Sequence, residues 1–183
     1  MKTLLILGAG GHGQIVAETA AACGYGRIEF LDDNDPNAAG TISELERFRS
    51  QYGECFVGIG NNRLRLELIQ KAEAAGFKVP VLIHPTAYVS GSAQLQKGTI
   101  IEPIAVVNAH AMVGIGSIIS VGAIVDHDTL LEDAVHINAG AVVKAGGKVC
   151  AFEKLEAGEV RLGYPAHTAG VCTLQTEQKQ IKS

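Results

Sequence analysis

No stretch of this sequence is dense in lysine or arginine, and its formal net charge is -4. Binding to nucleic acid rests largely on neutralising phosphates, so no nucleic-acid partner is expected. The four cysteines, Cys23, Cys55, Cys150 and Cys172, form no CxxC pair. That spacing fits neither a zinc knuckle nor a disulfide framework and points to a reducing, cytoplasmic setting. No apolar run reaches membrane length: Leu4 to Leu7 stops at Gly8, which is too short for a membrane span or a signal-peptide core. What remains is a folded, globular chain of 183 residues, 47% of them apolar and 19% charged, with chain enough for one or two domains.

The chain divides by periodicity. From Met1 to about Pro80, short apolar runs alternate with helical patterns, the signature of βαβ units and a parallel sheet. Thr3 to Leu7 reads as a strand, followed by the glycine cluster Gly8 to Gly13 and a helix from Gln14 to Cys23 that offers Ile15 and Val16 for burial. Arg27 to Leu31 and Glu54 to Ile59 read as further strands, Ser43 as the N-cap of a short helix, and Asn62 to Ala75 as an amphipathic helix presenting Leu64, Leu68 and Ile69. Lys78 to Ile83 is expected to form a fourth strand.

Beyond Pro80 the period becomes six. Ile83, Val89, Leu95, Ile101, Val107, Val113, Ile119, Val125, Leu131, Ile137, Val143, Val149 and Leu155 are all aliphatic, and four places after most of them stands a small residue such as Ala87, Ala105 or Ala123. An ordinary all-β domain would need turn clusters every 8–12 residues or so, and none has that spacing. The pattern predicts a solenoid of six-residue repeats, three to a triangular coil, so that residues eighteen apart stack. The repeat weakens at Cys150 to Lys154, which implies a short solenoid. The expected divisions are 1–80, 81–157 and a C-terminal segment and tail, 158–183.

The GAGGHG loop, the linker Val81-Leu82-Ile83-His84-Pro85-Thr86-Ala87, the hexads, Asp126-His127-Asp128 and Gly163-Tyr164-Pro165-Ala166 together resemble the NeuD/PglD-type sugar acyltransferases of bacterial sialic-acid and bacillosamine pathways. The resemblance covers about Lys2 to Ala166. It implies an N-terminal half-Rossmann (βαβ) domain followed by a left-handed parallel β-helix, a homotrimer with active sites between subunits, and acetyl-CoA as co-substrate with no metal. It implies His127 as catalytic base and Asp128 as the acid that raises its basicity. It also implies His136, the Ala145 N–H, Gly146 and Gly163 as contacts to the acyl donor. Period arithmetic separately puts Ala145 one coil above His127 and His110 one coil below Asp128; Asp126 is a second acidic candidate.

Gly8-x-Gly10-x-x-Gly13 after a strand, with Asp32 about twenty residues on, has the form of a dinucleotide fingerprint. Only about eighty residues precede the solenoid, one mononucleotide half and not two. A uridine or cytidine nucleotide-sugar, the uridine form by preference, is therefore expected in place of NAD, held by Gly10, Gly11, His12 and Gly13 at a helix N-terminus, with Asp32, Asp33 and Asn61 as further contacts and Asn62 and Arg63 nearby. A tight turn needing glycine for its backbone alone is the competing explanation.

The function implied is acetyl transfer from acetyl-CoA to an amine or hydroxyl of a nucleotide-linked amino sugar or sialic acid in glycan biosynthesis. The sequence leaves two alternatives open. One is a non-catalytic, nucleotide-sugar-binding relative with a shortened solenoid. The other is a γ-type carbonic anhydrase-like zinc enzyme, which would need ligands such as His110, His127 and His136 to converge.

Overall fold

The computed structural model describes residues 1–164; Pro165, Ala166, Cys172 and the rest of the C-terminal tail lie outside the described residues. The N-terminal part is a three-stranded parallel sheet of order β2-β1-β3, made of β1 (Lys2–Leu7), β2 (Tyr25–Leu31) and β3 (Glu54–Val57). Helix α1 (Gly11–Ala22) follows β1 and α2 (Asn62–Ala74) follows β3. This is one mononucleotide-type half of a Rossmann fold.

Local chemistry moved several boundaries. Helix α1 begins at Gly11, so the glycine cluster forms its first turn, and only Val16 of the expected apolar pair is buried while Ile15 stays exposed. The short 3-10 helix Ile42–Phe48 is capped by Thr41, not Ser43, because the Glu44 carboxylate reaches back to the Thr41 N–H at 2.9 Å. The fourth strand does not form: Lys78 makes only an isolated bridge to Glu54. Pro80, which has no N–H for a ladder, ends the pairing, and Leu82–Ile83 becomes β4, the first solenoid strand.

From β4 to β17 (Val160–Arg161) the chain winds as a left-handed parallel β-helix of two-residue strands in three sheets, two of five strands and one of four. Strands eighteen residues apart pair in register, as Ile118 does with Ile100 below and His136 above. Ile101, Val107, Val113, Ile119, Val125, Leu131, Ile137, Val143, Val149 and Leu155 fill the interior, with Ala105, Ala111, Ala123 and Ala141 between them. Each fully buried aliphatic side chain contributes about 1.5–3 kcal/mol relative to exposure. The lowest coil is open, so Ile83 is exposed and Val89 and Leu95 are half-buried.

The corners follow their own six-residue rule. Gly98, Ile104, His110, Gly116, Gly122, Asp128, Ala134, Gly140, Gly146, Phe152 and Gly158 all have positive φ, between 54° and 71°. A left-handed residue at each corner is how the chain turns after two strand residues, and non-glycine residues there carry strain. The N-terminal half covers the outer face of the first sheet, where Leu4, Ile6, Val16 and Ala20 pack on Leu82, Ile100 and Ile118. The other outer faces leave Tyr88, Ile124 and Val160, and Met112 and Leu130, exposed.

Candidate active site

Between β11 (Ile124–Val125) and β12 (Leu130–Leu131) the corner carries Asp126, His127 and Asp128. His127 Nδ1 lies 2.8 Å from Asp128 Oδ2, and His110 Nδ1, one coil below, lies 3.2 Å from Asp128 Oδ1. Asp128 therefore collects both imidazoles, while Asp126 is engaged by the His127 N–H and the Asn108 side-chain amide. The hydrogen bond to Asp128 raises the His127 pKa above 6.5, and the same bond, joined by Tyr164 and His110, holds Asp128 below the usual carboxylate range. With Nδ1–H committed to Asp128, His127 Nε2 is left as the proton acceptor.

One coil above, the stacking runs as the period predicts: the Gly146 N–H donates to His127 O and the Tyr164 N–H to Ala145 O. The Ala145 N–H donates to no described residue. Gly163 is required by close approach, since a Cβ there would lie 1.8 Å from Ala145 O. The Tyr164 ring lies over Gly146, and its hydroxyl donates to Asp128 Oδ2 at 3.1 Å. Tyr164 thus belongs to the cluster around His127.

His136 is elsewhere. It projects from β13 (His136–Ile137) in the first sheet, Nε2 3.1 Å from Ser120 Oγ, facing the N-terminal half. There it lines a cavity of about 270 Å³ with His12, Ile15, Gly60, Glu102, Ser120, Val121, Asn138 and Ala139. His12 Nδ1 is 3.9 Å from Glu102, and its buried Nε2 has no partner among the described residues. Burial first, then the nearby charge of Arg65, pushes both His12 and His136 down to about 4, and burial raises Glu102. His110, His127 and His136 do not converge within one chain, and no group of three metal-ligating side chains is assembled among the described residues.

The glycine loop divides into two uses. Gly8, Gly13 and Gly58 pack against one another so tightly that a Cβ on Gly13 would lie 2.1 Å from Gly8 O, whereas Gly10 and Gly11 face open space. Helix α1 has no side-chain cap and no acid in its first turn, which leaves a positive end with donors. Asp32 holds the loop itself: Oδ2 accepts the Ala9 N–H and Oδ1 those of Asn34 and Asp35, while Asp33 accepts from Ile42. Both line a concavity with Asn34, Asp35 and Thr41. Asn61 caps α2 through the Leu64 N–H, and Asn62 and Arg63 lie beside it in a cleft against Phe152 and Lys154.

Sequence reasoning missed Glu102, Ser120, Arg65 and the part played by Tyr164. Glu102, Ser120 and Asn138 stand eighteen apart and so share a column, a signal the period contained. Arg65 takes the helix-face position expected of Leu64. It is buried with Leu68, Ile69 and Ala72 at helical spacing, and Leu64 is exposed.

Residues 3–72 match the PglD N-terminal domain family. A UDP-N-acetylbacillosamine N-acetyltransferase of Bacillus subtilis (strain 168) is 31% identical over 112 residues, 55% of this chain. The match spans only about half, 51%, of that curated relative. Among solved structures, the acetyltransferase domain of PglB from Neisseria gonorrhoeae FA1090 superposes with a TM-score of 0.83 at 40% identity, over 87% of this chain and 82% of that one. The same domain in complex with acetyl coenzyme A gives 0.82 at 40% identity, over 87% and 81%. A mutant perosamine N-acetyltransferase from Caulobacter crescentus, in complex with CoA and GDP-perosamine, gives 0.72 at 28% identity, over 90% and 95%. Among the described residues no helix is long and apolar enough to cross a membrane.

Proposed function

Because the chain belongs to the NeuD/PglD-type sugar acyltransferase family, we propose that it transfers the acetyl group of acetyl-CoA to the amine of a nucleotide-linked amino sugar, in the cytoplasm, as a step of bacterial glycan biosynthesis. The observation that carries this reading is the His127–Asp128 pair, with no partner for Nε2 among the described residues and the Ala145 N–H one coil above it. His127 Nε2 takes the proton of the attacking amine as the N–C bond forms, and the Ala145 N–H receives the thioester oxygen as it becomes an oxyanion. The C–S bond then breaks, and the proton passes from His127 to the departing CoA thiolate. The amine is favoured over a hydroxyl because the relatives named above are N-acetyltransferases.

The nucleotide diphosphate is assigned to the open backbone of Gly10 and Gly11 at the α1 N-terminus, with His12 beside it and the Asp32–Thr41 concavity for the base. His136 and the cavity around it lie on the first sheet, whereas His127 lies where the other two meet. One chain does not join them, so the complete site needs a second copy, and a homotrimer packed through the exposed Tyr88, Ile124 and Val160 face supplies it. Light scattering should report three chains. A fully active monomer would remove the intersubunit site.

The test of the activity is CoA thiol release from acetyl-CoA in the presence of UDP- and GDP-linked amino sugars, beside their hydroxyl counterparts. Release with an amino sugar alone is expected, with the UDP form preferred. The position of the Tyr164 ring on Gly146 favours one competing reading, a non-catalytic binder whose donor groove is filled. Calorimetry separates the two, since that binder would take the nucleotide-sugar and not acetyl-CoA.

A further inference from the structure

Gly116, Ala134 and Phe152 are three corners of the solenoid stacked one coil apart, each left-handed, with φ of 65°, 54° and 64°. The carbonyl of each accepts a hydrogen bond from the N-terminal half. Arg65 Nε donates to Gly116 O at 2.6 Å, Arg65 Nη2 to Ala134 O at 3.3 Å, and Asn62 Nδ2 to Phe152 O at 2.8 Å. Two side chains three residues apart on α2 thus span three successive corners. The guanidinium also holds its own domain: Nη1 donates to Ile59 O and Gly60 O, both at 3.1 Å, and Nη2 to Asn62 Oδ1 at 2.7 Å. Gly60 lines the cavity that His12, Glu102, Ser120 and His136 share.

Arg65 is 1% exposed, and all its acceptors are uncharged oxygens. A buried cation without a carboxylate partner is costly and is tolerated only when its donors are satisfied. The guanidinium's donors and its charge come together, and through Gly60 that charge is held beside the cavity.

We propose that Arg65 is a positioning residue for acyl transfer: it sets the height of the nucleotide-binding half on the solenoid, and its buried charge keeps the cavity between His12 and His136 a site for an uncharged amine. The proposal rests on the acyl-transfer reading of that cavity. An attacking amine must be unprotonated, and a fixed cation next to the cavity disfavours an ammonium there by ordinary Coulomb repulsion.

The groups facing the two imidazoles make the electrostatic part specific. His12 is faced by Arg65 from α2, by Glu102 from the solenoid and by His136 from β13. His136 is faced by Arg65, by Lys154 from β16 (Lys154–Leu155) above it, by Glu156 and by Ser120. Burial is the larger cause of both low pKa values. Removing Arg65 should therefore raise both in part, while Lys154 still acts on His136.

The test uses the full chain with Arg65→Met and Arg65→Lys, read by histidine NMR titration, by nucleotide-sugar affinity and by steady-state kinetics. In Arg65→Met both imidazoles should titrate at higher pH, and kcat should fall by about 10²-fold, the scale of a small misplacement of reactants. The KM for acetyl-CoA, assigned to the His127 corner, should not change. Arg65→Lys should keep the low histidine titrations, because the charge stays, and should still lose kcat, because an ammonium cannot reach the carbonyls of both halves. Unmoved histidines in Arg65→Met, or a wild-type kcat in Arg65→Lys, would overturn the proposal. Should Arg65→Met not fold, the lysine variant and Asn62→Ala, expected to lower kcat without moving the titrations, decide it. A wild-type protein without acetyl transfer would sink the acyl-transfer reading and with it the kinetic role of Arg65, whereas unmoved titrations in an active protein would sink the proposal alone.

Discussion

Asp128 adopts a left-handed backbone conformation, φ 56°, and from that corner its Oδ2 meets Nδ1 of the residue before it, His127, at 2.8 Å. Neighbouring residues in extended chain point to opposite sides, so the corner is what makes an adjacent pair into a dyad. Aspartate accepts this conformation more readily than most residues, and the strain is stored where the chemistry is assigned.

Asp128→Asn should lower the pH at which activity is lost on acidification. The carboxylate is the main reason the His127 pKa is raised, and an amide leaves the imidazole nearer its ordinary value of about 6.5. The rate at neutral pH should drop, because the tautomer is no longer held. A pH–rate profile under donor saturation checks this, and an acid limb that stays in place or moves up contradicts it.

Tyr164→Phe should move the same limb the other way. The Tyr164 hydroxyl donates to the Oδ2 atom that also accepts from His127, and it helps to hold Asp128 low. Without it the carboxylate is a stronger acceptor for His127, the imidazole pKa rises further, and the limb shifts to higher pH. The opposite signs of these two variants separate tuning of the dyad from general damage.

Acid should destabilise the protein between about pH 6.5 and 4. His12 and His136 are pushed down to about 4 in the folded chain, so in that window the unfolded chain binds more protons and stability falls as pH falls. Glu102, whose pKa is raised, acts with the opposite sign and offsets part of the loss. Denaturant unfolding at pH 7, 6 and 5 should show a slope that flattens in the double variant His12→Asn, His136→Asn. An unchanged slope would mean that these imidazoles are not the source.

The solenoid was legible because its period is a physical repeat: every interior position from Ile101 to Leu155 follows the six-residue rule and is buried. The same arithmetic brought His110 to Asp128 and Ala145 to His127. What was not legible depended on satisfaction of polar groups across the two halves. Arg65 reads as a solvent-facing charge until Gly116, Ala134 and Val135 offer it carbonyls from 51 to 70 residues away. Asp32 and Asn61 read as ligand contacts, yet each has an oxygen engaged by a backbone N–H two or three residues on, which local hydrogen bonding makes available to such residues. Tyr164 stands thirty-six residues after Asp128, two coils up the same column, but spacing alone does not show that its side chain reaches back past Gly146 to the Asp128 carboxylate.

The most direct test of the account is the turnover of His127→Ala at saturating acetyl-CoA and nucleotide-linked amino sugar, measured beside the affinity for each. Loss of a positioned general base typically lowers the rate by about 10²–10⁴-fold. The account predicts a fall of that order, with both affinities nearly unchanged and the acid limb of the pH profile gone. A variant that turns over at the wild-type rate would contradict it.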